Sequence, residues 1–282
     1  MKVTAKPCGA RCVVFSRDRP MQLHALLSSY FEKAKNPAPV HVLYRSSSER
    51  FEAAYREVLS LLEGHPVSVT RETGFREDLL RTLRATEVDK VFFLVDDVLF
   101  IEDVDLADFT GVDTDRFVPS LRLGKNLRRC YTAQARQPLP PFVDGVTSDR
   151  DKLCWRWAEG RFDWGYPLSV DGHIFSLVEI SLMADASTFA APNSFEQALQ
   201  GFADLVRNRY GVSYVKSKIV NIPVNRVQSE ENRNIAGKVH PDYLLARWEA
   251  GFQIDFRTLY GWVNESAHQE LPLRLVPRQS AS

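Results

Sequence analysis

Val91-Phe-Phe-Leu-Val-Asp-Asp97 is a run of five apolar residues that ends on two adjacent acids. Such a run is short for a buried helix, and its lack of alternation reads as burial of both faces, as in a central strand of a parallel sheet. The chain before it repeats the theme. Arg11-Cys-Val-Val-Phe-Ser16 reads as a buried strand and Arg17-Asp-Arg-Pro20 breaks it. Pro20 suits the first turn of a helix striped by Leu23, Leu26, Leu27, Tyr30 and Phe31. Asn36-Pro-Ala-Pro39 ends that helix before a second strand, Val40 to Tyr44. Ser48 can cap a second helix, striped by Phe51, Ala54, Tyr55, Val58, Leu59 and Leu62. Val67 to Val69 is a third strand, and Thr73-Gly74 opens a helix carrying Phe75, Leu79, Leu80 and Leu83. Strand and helix alternating in this way predict an α/β fold, a doubly wound, mostly parallel sheet with helices on both faces. Ligands of such sheets bind at the carboxyl ends of the strands. Ser16-Arg-Asp-Arg19 and Asp96-Asp97 are the polar clusters expected there.

The second half is less regular. Phe117 to Gly124 and Leu168 to Phe175 read as strands, and Pro192 opens a helix expected to run to about Tyr210. No repeat or flexible linker divides the 282 residues. One domain is expected, with a first half of about residues 8–115 and a second of about residues 116–282. Lys plus Arg and Asp plus Glu each number 36, and that zero balance argues against general nucleic-acid binding. No apolar run approaches the roughly 20 residues that cross a bilayer. Met1 to Ala10 lacks the apolar middle of a signal peptide. Cys8, Cys12, Cys130 and Cys154 are too scattered for a disulfide scaffold or a zinc site. The expected location is the cytoplasm, which does not preclude peripheral attachment to a membrane.

Asp96 and Asp97 carry the chemistry. Adjacent carboxylates at a sheet edge repel unless a cation or hydrogen-bond donors relieve them. Their oxygens suit hard ions such as Mg2+ and Mn2+, which also bind diphosphates. A solvated turn or a helix cap is the competing reading.

Val13-Val-Phe-Ser-Arg-Asp-Arg-Pro20 with its helix, followed by Phe92-Phe-Leu-Val-Asp-Asp97, resembles the nucleotide-sugar half of GT-A glycosyltransferases, of the family 2 kind. The resemblance is good over about residues 11–104 and loose beyond them. Its short acidic motif has Val95 in the first place and acids in the last two, as in several GT-A families. The resemblance implies that Asp97 holds Mn2+ or Mg2+, that Asp96 touches ribose or metal-bound water, and that Ser16, Arg17 and Asp18 cradle the nucleoside. The donor would be a nucleoside-diphosphate sugar and the acceptor a glycan or other hydroxyl compound. Arg17 and Arg19 also fit solvated surface, and Arg76 is either a nucleotide contact or a surface helix residue.

Downstream, Trp164-Gly-Tyr-Pro-Leu-Ser-Val-Asp-Gly-His173 resembles the strand flooring the acceptor side. Strand alternation would put Ser169, Asp171 and His173 on one face. Trp155, Trp157, Trp164 and Tyr166 suit either core packing or sugar stacking. Pro192-Asn-Ser-Phe-Glu196 falls where many inverting GT-A enzymes place a base at a helix start, so Glu196 is the expected base and Asp171 the next carboxylate. Glu196 also fits a capping box with Asn193. Arg226 is a candidate for phosphate or an acceptor carboxylate. His240 is similar to a C-terminal histidine that closes on the metal in some GT-A enzymes. Two other readings compete: a sugar-1-phosphate nucleotidyltransferase, disfavoured because the loop after the first strand lacks glycine, and a non-catalytic nucleotide-sugar-binding protein.

Overall fold

The computed structural model describes residues 9–109, 111–146, 151–225 and 239–278. Its first half follows the expected alternation: β1 (Ala10–Arg17), α1 (Pro20–Lys33), β2 (Val40–Arg45), α2 (Glu49–Leu61), β3 (Val67–Arg71), α3 (Phe75–Arg84) and β4 (Lys90–Val95). Short β5 (Val98–Phe100) follows directly. β1 is parallel to both β2 and β4, with Val14 in register with Val42 and Leu94, and β3 is parallel to β2.

Side chains of β1 alternate between two cores. Cys12 and Val14 join Val42, Phe92 and Leu94 under α1 and α2, beside Leu23, Leu26, Tyr55 and Val58. Val13 and Phe15 join Leu43, Val91 and Phe93 under α3, beside Phe75, Leu79 and Leu83. Helices therefore cover both faces, which is why these strands carry no polar alternation.

The second half contributes β6 (Phe117–Ser120), β7 (Lys152–Arg156), β8 (Ile174–Ser176), α4 (Leu177–Asp185), α5 (Pro192–Gln200), β9 (Tyr210–Tyr214), β10 (Ile219–Asn221) and α6 (Pro241–Glu249). β8 extends the main sheet antiparallel beside β4, giving the order β8-β4-β1-β2-β3. β9 lies between β7 and β6 in a small second sheet.

The structure departs from the sequence pattern at two elements. The strand expected over Leu168 to Phe175 is confined to Ile174–Ser176, because Gly172 takes a left-handed φ of 76° and the preceding residues form a turn. The helix opened by Pro192 stops at Gln200, before Gly201, and Tyr210 instead starts a strand paired with Phe117. The tryptophan question resolves towards packing: Trp155, Trp157 and Trp164 are buried, with Trp155 4.9 and 4.8 Å from the other two. Tyr166 alone of that group keeps an exposed ring. Among the described residues no helix is long and apolar enough to cross a membrane.

Candidate functional site

From β1 the chain steps through β2 to β3 on one side, then returns to β4 on the other side of β1. The direction of winding reverses between β1 and β4, and such a reversal opens a crevice beyond the strand ends. Ser16 to Arg19 and Asp96-Asp97 meet there.

Ser16 Oγ donates to Asp96 Oδ2 at 2.8 Å, and the Arg17 amide donates to the same oxygen at 3.2 Å. With its proton spent on Asp96, Ser16 accepts from the buried Tyr55 hydroxyl at 2.7 Å. Arg19 Nη1 donates to Asp96 Oδ1 at 2.9 Å and lies 3.5 Å from Asp97 Oδ2. Its other edge is fastened to Asn225, through Nε to Oδ1 at 2.7 Å and through Nη2 to the carbonyl. Burial alone would lower the Arg19 pKa, but Asp96 and Asp97 together raise it. Asp97 is held more loosely, by Asn221 Nδ2 at 3.3 Å. Burial pushes its carboxyl up to about 6, with Asp96 and Asp171 adding to the rise against the pull of Arg19.

Asp18 turns the chain between β1 and α1 with a φ of 53°, and its Oδ1 accepts from the Ser47 amide at 2.7 Å. Asp18 thereby ties the first loop to the second. Arg17 is part-exposed and lines a pocket with Ser16, Arg45, Glu72, Asp96 and Pro192. Arg45 pairs with Glu72 at 3.5 Å, and burial raises the Glu72 carboxyl. Arg76 is engaged elsewhere: its Nε and Nη2 donate to the carbonyls of Ser187 and Asp185 at 2.9 and 3.0 Å, closing the end of α4.

A second polar cluster forms around Arg122, a residue the sequence pattern did not single out. Its guanidinium is buried and donates to Ser169 Oγ at 2.9 Å, Asp171 Oδ2 at 3.4 Å, Asp163 Oδ1 at 3.3 Å and His268 Nδ1 at 3.0 Å. Arginine only donates, so His268 Nδ1 accepts, and the ring proton sits on Nε2, 3.5 Å from Asp171 Oδ2. Burial would raise the Asp171 carboxyl, but His268 and Arg122 hold it below the ordinary range. Glu196 Oε1 accepts from the Val170 amide at 3.1 Å. Burial and then the Asp171 charge raise the Glu196 carboxyl.

The capping box expected for Asn193 and Glu196 is replaced. Helix α5 starts two residues earlier, with Ala191 as its N-cap, and Ser194 Oγ accepts from the amides of Ala190 and Ala191 at 3.1 and 3.0 Å. Glu196 is thereby free of the cap and reaches the Ser169–Asp171 turn. His173, expected beside Asp171 on one strand face, is buried with Nδ1 donating to the Pro167 carbonyl at 3.0 Å, and burial lowers its pKa to about 3. His240 is exposed and caps α6, its Nδ1 accepting from the Asp242 amide at 3.2 Å. Among the described residues no three His, Cys, Asp or Glu side chains converge on a metal-sized site. Arg226 lies outside the described residues.

Arg122 had one sequence signal, a charge between Leu121 and Leu123, both of which are buried. His268 had none, since it reaches the cluster by a bridge between its backbone and Asn221.

No known protein-family profile matches the chain. It is 25% identical over 193 residues to the bifunctional glycosyltransferase pgtA of Dictyostelium discoideum, a match covering 62% of this chain and 25% of that protein. The chain thus spans about a quarter of that relative's length. A solved nucleotidyl transferase from Methanothermobacter thermautotroptrophicus superposes with a TM-score of 0.41 at 13% identity, over 74% of this chain and 88% of that one. A likeness that weak carries no argument about activity.

Proposed function

We propose that the chain is a GT-A-type glycosyltransferase that moves a sugar from a nucleoside-diphosphate sugar to a hydroxyl acceptor in the crevice between β1 and β4. The observation that carries this reading is the meeting of the β1 loop with Asp96-Asp97 at the reversal of the sheet. The match to a glycosyltransferase supports it. In this reading the pocket bordered by Arg17, Arg45 and Glu72 takes the nucleoside.

Asp97 is the residue to hold Mn2+ or Mg2+. Its carboxylate has only distant partners, and Asn221 Oδ1 nearby is buried without one, so a hard cation suits the oxygen donors present. With no three protein ligands converging among the described residues, the diphosphate and water would complete the coordination. When bound, the metal neutralises charge on the departing diphosphate.

The chain's own part in the chemistry lies with Glu196 and Asp171. The acceptor oxygen attacks the anomeric carbon while the bond to the diphosphate oxygen breaks, and the acceptor proton passes to Glu196. A raised carboxyl is a better proton acceptor at neutral pH than an ordinary one. Burial is the main cause of that rise, and Asp171, kept ionised by His268 and Arg122, adds its charge to it. Direct displacement inverts the anomeric configuration.

Titration calorimetry with UDP and with GDP tests the donor site. One of them binds more tightly with Mn2+ than in EDTA, and Asp97→Asn removes the difference without loss of fold. Equal affinity in Mn2+ and EDTA would refute the metal role.

A further inference from the structure

We propose that Arg19 is a built-in counter-ion for the acidic pair and imposes an order on binding: a divalent cation enters this crevice only together with a diphosphate. The inference rests on reading the crevice as a nucleotide and metal site, and goes beyond it by assigning the pair unequal duties.

Arg19 is fixed from both edges. Nη1 faces Asp96 and Asp97, at 2.9 and 3.5 Å, while Nε and Nη2 are tied to Asn225. Its backbone amide also donates to Tyr55 at 3.1 Å. The guanidinium cannot withdraw from the acids without breaking the Asn225 bonds, and its side chain is only 12% exposed.

The two acids share this one cation unevenly. Asp96 receives Ser16 Oγ, the Arg17 amide and Arg19 Nη1, so both its oxygens are supplied by the chain. Asp97 receives one amide at 3.3 Å and the far side of Nη1. Asp96 is therefore a structural acid that orders the first loop, and Asp97 alone is available to a ligand.

Charge decides what that ligand is. Two carboxylates and one guanidinium in direct contact leave a single net negative charge, and Asp171, whose charge also reaches Asp97, is paired with Arg122. A divalent cation arriving alone would reverse that sign and sit close to a guanidinium that cannot retreat. Like charges in a partly dehydrated site repel strongly. A diphosphate arriving with the cation restores a negative balance and gives Arg19 a further acceptor. Bare metal is excluded, and the metal-diphosphate complex is admitted.

Mn2+ binding can be read directly from the electron paramagnetic resonance signal of the free ion, with no turnover required. Wild type, Arg19→Gln and Asn225→Ala are each titrated with Mn2+ alone and with Mn2+ plus UDP or GDP. Wild type takes up Mn2+ at least about tenfold more tightly with one of the diphosphates than without. Arg19→Gln takes up Mn2+ alone at least about tenfold more tightly than wild type does, because two adjacent acids have lost their counter-ion. Asn225→Ala, which frees the guanidinium to move, shifts in the same direction by less, and carries the test if Arg19→Gln fails to fold by circular dichroism. A diphosphate that binds wild type while neither variant gains affinity for bare Mn2+ overturns this inference and leaves the nucleotide site standing. Failure of UDP and GDP to bind any sample overturns both.

Discussion

Two arginines, Arg19 part-buried and Arg122 buried, each stand between two carboxylates in this molecule. Arg19 lies between Asp96 and Asp97, and Arg122 between Asp163 and Asp171 at 3.3 and 3.4 Å. The first group is assembled mainly from the ends of two neighbouring parallel strands, so the sheet itself fixes the spacing. The second draws on residues 122, 163, 169–171 and 268, scattered through irregular chain, and depends on the arginine to gather them. Arg19 serves its acids unequally and leaves Asp97 open. Arg122 serves its acids almost equally, and the residue left open is one it does not bond, Glu196, which hangs from the Val170 amide. In the proposed reading, one arginine prepares a place for a cation, and the other holds a frame around a proton acceptor.

The largest effect expected separates the open residue from its frame. Glu196→Gln should slow transfer by about 100- to 10,000-fold. Its melting temperature should stay near that of wild type, because Ser194 and not Glu196 caps α5. Rate and melting measured on the same sample check both. Near-normal transfer would move the base role to Asp171.

Removing the frame should act on stability. Arg122→Met leaves Asp163 and Asp171 buried without their shared cation, a loss of about 3–5 kcal/mol in urea unfolding. Arg19→Met should lose less, since Asp96 keeps Ser16 and the Arg17 amide. Equal losses would mean that the two arginines play the same part.

The contrast also explains what the sequence made legible. The order of β1 to β4 and the meeting of Ser16 with Asp96 follow from uninterrupted apolar runs such as Val91 to Val95, whose ends a parallel sheet brings together. The fixing of Arg19 was not legible, because its partner Asn225 is 206 residues away along the chain. The second cluster was largely hidden. A turn at Ser169–Asp171 replaces the expected strand, and turns carry no periodic signal by which Arg122 or His268 would be matched to Asp171. Ser194 took the cap expected of Asn193 because the helix begins at Pro192.

Acid should loosen both halves of the molecule. Burial holds His173 at about 3 and His24 at about 4, both below their ordinary 6.5. The unfolded chain binds these protons first, so the stability each contributes is complete above pH 6.5 and falls away towards the lower values. Each should forfeit about 2–3 kcal/mol by about pH 4.5. His173 packs 5.2 Å from Trp157 in the second half, so His173→Asn should flatten the acid limb of a denaturation series there. An unchanged acid limb would show that His173 is not held neutral.

The smallest effect concerns the helix that presents Glu196. Ser194→Ala removes an acceptor for two amides and should cost about 1 kcal/mol, read from denaturant midpoints.

Transfer of a sugar releases a nucleoside diphosphate, which phosphorus NMR of the reaction mixture detects without an assumption about the acceptor. The protein is incubated with Mn2+, a panel of nucleoside-diphosphate sugars and a mixture of glycan acceptors, and in a parallel sample with nucleoside triphosphates and sugar 1-phosphates. Nucleoside diphosphate accumulating in the first sample, and no pyrophosphate in the second, is the result this account predicts. Pyrophosphate in the second sample with no diphosphate in the first would contradict it, and would make the crevice between β1 and β4 a site of nucleotidyl transfer.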